Sequence, residues 1–186
     1  MTLALELSRM ASPLGPLILM HHANILHLLD FDDQYRSTGD NQLDHQADPL
    51  ARILKSYRPY SLTNAENPFE KPLNAYFAGD FSALAPIRTA PAGTHFQRSV
   101  WSALGAVEPG NTASYGTIAR AIGVPKASRA VGLAIGANPI AVVIPCHRII
   151  GANGSLTGYS GGLPRKAWLL AHEAASAAKI AASPTR

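Results

Sequence analysis

The chain has 186 residues, 47% hydrophobic and 15% charged, which suits one folded domain or two small ones sharing a boundary. That composition excludes a disordered chain. No apolar run reaches the roughly 18 residues that span a bilayer, and Met1 to Met10 holds Glu6 with no basic segment, so no secretory signal is expected. The net charge of +4 is uneven: residues 1–87 hold six Lys/Arg against ten Asp/Glu, and residues 88–173 hold eight against two, Glu108 and Glu173. Such a split fits a C-terminal half that meets something anionic, although charge alone is equally met by a solvated surface. The single cysteine excludes an internal disulfide and fits a reducing cytoplasm.

In chain order, Ser12-Pro13-Leu14-Gly15-Pro16 is a turn. The apolar runs Leu17 to Met20 and Ile25 to Phe31, across a short polar break, predict an antiparallel hairpin. The acidic stretch Asp32 to Asp48 is expected to be a loop, and Asp48-Pro49 to cap a helix reaching about Tyr57. Prolines at 59, 68, 72, 86 and 91 punctuate the chain from there to Gly93. The boundary is expected within Pro86 to Gly93, giving a domain of residues 1–88, a second of 89–175, and a tail of 176–186.

The second half is expected to be mainly helical. Thr94 caps a helix with Phe96, Val100, Trp101 and Leu104 on one face, ending by Pro109-Gly110. Ser114 caps another with Ile118, Ala119 and Ile122 inward and Gly123 as its stop. A third runs from Lys126 to about Ala137, and the last two form a helix-turn-helix. Residues 140–144, rich in β-branched side chains, are expected to be an extended strand leading into Pro145-Cys146-His147-Arg148. A Gly-rich loop comes next, then a final helix from Pro164 to Ala178, with fraying expected in the Ala-rich end.

Cys146 is the candidate nucleophile. Its neighbours His147 and Arg148 put cationic groups beside it in sequence, which favours thiolate over a buried packing thiol. A strand would point His147 away from Cys146, so contact needs a turn at 145–147 or a bridging water. Glu173 is the better of the two acids to orient that imidazole and favour its charged form. The helix from Lys126 is lined with small residues, Ala127, Ser128, Ala130, Gly132, Ala134 and Gly136, with Arg129 as its one long probe. It suits either a narrow groove or tight core packing. His21, His22 and His27 are expected to be solvated and no metal is expected; no dinucleotide or triphosphate loop is present.

The segment Ile144-Pro145-Cys146-His147-Arg148-Ile149-Ile150 resembles the acceptor signature of the O6-alkylguanine-DNA alkyltransferases, the methylated-DNA–protein-cysteine methyltransferases. Phe96-Gln97, Val100-Trp101, Ser114-Tyr115-Gly116, Ser128-Arg129-Ala130-Val131-Gly132, Asn138-Pro139, Gly158-Tyr159-Ser160-Gly161-Gly162 and Leu169-Leu170-Ala171-His172-Glu173 extend it over residues 94–173. The resemblance implies an α+β fold: a small N-terminal ribonuclease-H-like α/β domain and a mainly helical DNA-binding domain.

It implies that Cys146 accepts the alkyl group, with His147 as base through a water, Glu173 orienting it, and Tyr115 donating a proton to the departing guanine. Arg129 is then the finger that fills the space of a flipped nucleotide, and Ala127, Ser128 and Gly132 meet DNA beside it. Asn138 braces the site, while Tyr159, Ser160 and Ile149 line the pocket.

The implied partner is double-stranded DNA carrying O6-alkylguanine, bound through the minor groove by a protein that is monomeric in solution and cytoplasmic, with no cofactor, membrane or structural zinc. Two rival readings are a non-catalytic lesion-binding relative, against which Cys146 itself speaks, and a helix-turn-helix regulator. A thiol hydrolase using Cys, His and Glu is a third. One departure is Ala141 where some relatives have proline.

Overall fold

The computed structural model describes residues 2–34 and 49–182. The N-terminal half is a four-stranded sheet made of β1 (Leu3–Met10), β2 (Leu17–His22), β3 (Ile25–Phe31) and β4 (Tyr60–Asn64), in the order β3-β2-β1-β4. The first three strands are antiparallel and β4 joins β1 in parallel. The hairpin expected at 17–31 is β2–β3, turned at Ala23 and Asn24, both in the left-handed region. β1 and β4 were not expected, although Leu3, Leu5 and Leu7 already alternate as a half-buried strand requires. The loop expected at Asp32 to Asp48 opens with a 3-10 turn at Asp32–Gln34 and otherwise lies outside the described residues.

Both faces of the sheet are covered, so β2 opens with a continuous apolar run, Leu17 to Met20. Leu5, Leu7, Ile18, Met20 and Leu28 face helix α1 (Pro49–Leu54), while Leu17, Leu19, Leu26, Leu29 and Phe31 face the C-terminal half. Leu26 and Leu29 share a face despite their odd spacing because the register shifts between Met20 and His21, leaving His27 as an extra residue on β3. A bulge of this kind resets the two-residue alternation. Histidines 21 and 27 are correspondingly buried rather than solvated. His21 lies 3.1 Å from Glu6 Oε2 and edge-on to Phe69, and His27 Nδ1 meets Ala90 O at 2.9 Å.

Helix α2 (Glu70–Phe77) holds Pro72 inside its first turn, where no intrahelical N–H is lost. It buries Leu73 and Tyr76 toward the shared core. Helix α3 (His95–Leu104) begins as expected with a reciprocal capping box between Thr94 and Gln97, and buries Val100, Trp101 and Leu104. A two-residue strand β5 (Ala113–Ser114) leads into α4 (Tyr115–Ala121), capped by Ser114, and Gly123 at φ +78° turns the chain into α5 (Ser128–Gly136). This is the expected helix-turn-helix. Its second helix starts two residues later than expected because Ala127 N closes a turn onto Val124 O. Trp101 Nε1 donates to Ala134 O at 2.8 Å, locking α5 onto α3. The final helix α6 (Leu163–Ala182) outruns the expected end at Ala178, as alanine favours.

The expected strand at 140–144 is not formed. Ile140 makes one bridge to Leu29, and residues 141–143 turn with Val142 at φ +67°. The β-branched residues are there because the turn is buried, with Ile140, Ala141 and Val142 almost without exposure. β3 is an edge strand, and its free backbone closes onto this turn: Leu29 N donates to Pro139 O at 3.0 Å, and Ala141 N to Leu29 O at 2.7 Å. The sheet thus buttresses the segment that carries Cys146, and one hydrophobic cluster runs from Leu19 and Phe31 to Ile140, Cys146 and Leu169. The class is α+β. No helix of the described residues is long and apolar enough to cross a membrane.

Candidate active site

Asn138 ends α5 and organises the buried turn. Its Oδ1 accepts from Ile140 N at 3.1 Å; its Nδ2 donates to Ile144 O at 2.9 Å and lies 3.1 Å from Cys146 Sγ. Asn-Pro therefore does more here than end a helix. Cys146 opens a 3-10 turn, Cys146–Arg148, which runs into β6 (Ile149–Ile150), paired in parallel with β5. The turn at 146–148 meets the geometric condition set by the sequence, since His147 is not on a strand. A cleft of about 950 Å³ lies behind the turn, lined by Phe81, Trp101, Val142, Pro145 and Arg148, and Cys146 is not in its wall.

His147 and Glu173 meet as expected: Nε2 lies 3.0 Å from Oε1, and both side chains are fully buried. The same carboxylate also accepts from Arg148 Nε (2.9 Å) and Nη2 (2.8 Å), Tyr76 Oη (2.8 Å) and Gly110 N (3.3 Å). Burial alone would raise the Glu173 pKa, but the hydrogen bonds from His147 and Arg148 hold it well below the carboxylate range. Burial lowers the His147 pKa more than Glu173 restores it, with Arg148 adding repulsion. The imidazole is therefore neutral, not charged as the sequence suggested, because its burial outweighs the pull of the carboxylate. With Glu173 ionised, Nε2 carries the ring proton. Nδ1 is then a bare acceptor, buried and without a partner among the described residues.

The thiol also differs from expectation. Burial pushes Cys146 up to about 11, only partly offset by the Asn138 amide. Neither adjacent cation acts on the sulfur: His147 is neutral, and Arg148 is held by Glu173 and by Val107 O. The resting group is a thiol.

Tyr115, at the start of α4, places its Oη 3.0 Å from Thr157 Oγ1, and its ring lies where a side chain on Gly132 would touch it at 3.5 Å. Tyr115 and α5 are thus one surface. Arg129 is exposed, while Ala127, Ser128 and Gly132 are half-buried beside it. In the Gly-rich loop, Tyr159 packs edge-on to Phe31, its hydroxyl is buried, and Ser160 is exposed. A Cβ on Gly161 would stand 2.5 Å from the Phe31 ring, so only glycine fits. Ile149 is placed in the core rather than at an open pocket.

Two contributors had no local signature. Tyr76 reaches Glu173 from the N-terminal half. Lys166 is fully buried and donates to Ile149 O (2.5 Å) and Thr157 O (2.6 Å), with no carboxylate paired to it among the described residues, pinning the loop of Tyr159 to β6. A buried ammonium held by carbonyls alone is exceptional.

A buried single cysteine, an oriented imidazole and an exposed cationic helix-turn-helix define a thiol acceptor joined to a nucleic-acid-binding surface. Residues 95–175 match the family model of the 6-O-methylguanine DNA methyltransferase DNA-binding domain. The chain is 43% identical over 168 residues to the methylated-DNA–protein-cysteine methyltransferase of Salmonella typhimurium, covering 89% of this chain and 93% of that one. The Mycobacterium tuberculosis O6-methylguanine methyltransferase superposes with a TM-score of 0.72 at 38% identity, over 98% of this chain and 96% of that one. The Mycobacterium tuberculosis OGT in complex with DNA superposes at 0.70, again at 38% identity, over 92% and 94%. The chain belongs to the methylated-DNA–protein-cysteine methyltransferase family.

Proposed function

We propose that this chain reverses alkylation damage directly, moving the alkyl group from O6 of guanine in DNA onto Cys146 Sγ. One observation carries the assignment of roles: the only cysteine precedes an imidazole whose Nε2 is held by Glu173 and whose Nδ1 has no partner among the described residues. Nδ1 takes the thiol proton through one water, which is acceptable base geometry. The sulfur then attacks the alkyl carbon in line. An S–C bond forms, the C–O6 bond breaks with its electron pair going to the guanine, and Tyr115 supplies the proton that neutralises it. The Asn138 amide steadies the sulfur as charge develops.

The product thioether carries no group that water can displace, so each molecule acts once. The buried lesion must leave the duplex, which costs a few kcal/mol and least for a badly paired base. Arg129 occupies the vacated stack, and Tyr159 and Ser160 hold the extruded base. Residues 109–172 contain no acid, so the exposed face of α5 can approach the minor groove without repulsion. The protein acts as a monomer, in a compartment that keeps its thiol reduced. Mixing with a methylated oligonucleotide and weighing the Cys146 peptide tests this: one methyl per molecule is expected, absent in Cys146→Ser. Turnover, or an unmodified Cys146, would refute it.

A further inference from the structure

Leu133 stands bare on α5. It is 78% exposed, against 37–44% for Leu62, Leu156 and Leu163, the other exposed large apolar residues among those described. Its place on the helix is specific. Arg129, Ala130, Leu133, Gly136 and Ala137 are the exposed positions, spaced to form one face, while Val131, Ala134 and Ile135 are buried opposite. Only two side chains longer than a methyl rise from that face, and they are four residues apart, hence adjacent. One is Arg129. The other is Leu133.

The neighbours of Leu133 identify what covers it. Around it lie alanine and glycine rather than an apolar patch, which a protein partner would need. Arg120 on α4 and Lys126 in the turn before α5 are exposed, and no acid occurs between residues 109 and 172. A duplex is the partner of matching charge, and the family to which the chain belongs acts on one. The minor groove is only about 6 Å wide, so a helix face of alanine and glycine lies close to its floor. A leucine on that face cannot lie flat. It finds no hydrogen-bond partner there, and it leaves water only by entering a base step, as apolar wedges of minor-groove proteins do.

We infer that Leu133 is a positioning residue for the transfer reaction: an apolar wedge, one turn along from Arg129, that loosens the stack from which the damaged nucleotide is extruded. The inference rests on the DNA-repair reading above. Leu133→Ala tests it, because the residue contributes nothing to the core and alanine suits the helix. Single-turnover transfer to Cys146 is measured from three O6-methylguanine substrates: a paired duplex, the same duplex with a mismatch beside the lesion, and a single-stranded oligonucleotide.

The variant should be about tenfold slower on the paired duplex, a fraction of the few kcal/mol that unstacking costs. It should match the parent on the other two, whose bases are already loosened, and Leu133→Met should restore the duplex rate. Equal duplex rates would overturn the wedge. An equal loss on the mismatched duplex would overturn it in favour of a simple groove contact, and an equal loss on the single strand would overturn it in favour of a role away from the base stack. The parent's own methyl gain on Cys146 checks the repair reading separately.

Discussion

Glu173→Gln isolates the buried charge on which the site is built. The carboxylate accepts from His147, twice from Arg148, from Tyr76 and from Gly110, all within 3.3 Å and with no exposure. Glutamine keeps one acceptor oxygen and turns an amide donor toward one of the Arg148 donors. The guanidinium is then buried without its counter-charge. Breaking such a pair by removing one partner costs about 3–5 kcal/mol, a large share of a total near 5–15 kcal/mol.

The pH dependence has a definite sign. The folded pKa of Glu173 lies below its ordinary 4.5, so its stabilisation is complete above pH 4.5 and is lost as pH falls toward the folded value. Urea titrations of parent and variant should therefore differ by about 3–5 kcal/mol at every pH from 7 down to about 5, and converge below that. His147 is also held below its ordinary 6.5, so acidification through that value already favours the unfolded state of the parent. A gap under about 1 kcal/mol at pH 7 would refute the reasoning, since that is the size of an exposed pair. A gap unchanged down to pH 3 would do the same.

Three further outcomes rest on the same geometry. Because burial pushes the Cys146 thiol up to about 11, its rate with a small alkylating reagent in DNA-free protein should keep rising with pH beyond 9; a plateau below pH 8 would mean a resting thiolate. Asn138→Ala strips the amide from Ile144 O and Cys146 Sγ and leaves Ile140 N unpaired, which should cost about 2–4 kcal/mol by denaturant melt and slow transfer. Full stability would refute the bracing role. Lys166→Met leaves the carbonyls of Ile149 and Thr157 unpaired, so hydrogen exchange should quicken at residues 155–160 while α3 is unchanged. Uniform exchange across both would show that the clamp is not local.

What the sequence determined by itself is local. The Thr94 and Ser114 caps, the Gly123 stop, the β2–β3 hairpin and the run around Cys146 each depend on residues a few positions apart, where hydrogen-bond partners and periodicity can be read directly. The buried turn at 140–144 could not be read, because a β-branched run looks the same in a strand and in a covered turn; the edge of β3 decided it.

The protonation states were equally out of reach. Sequence neighbours made His147 and Arg148 look like cations beside a thiolate. Only tertiary structure shows that Arg148 turns to a carboxylate 25 positions away, that Tyr76 reaches it from 97 positions away, and that burial leaves the imidazole neutral. Charge in a protein interior is set by burial and by partners distant in sequence, and no local pattern records either.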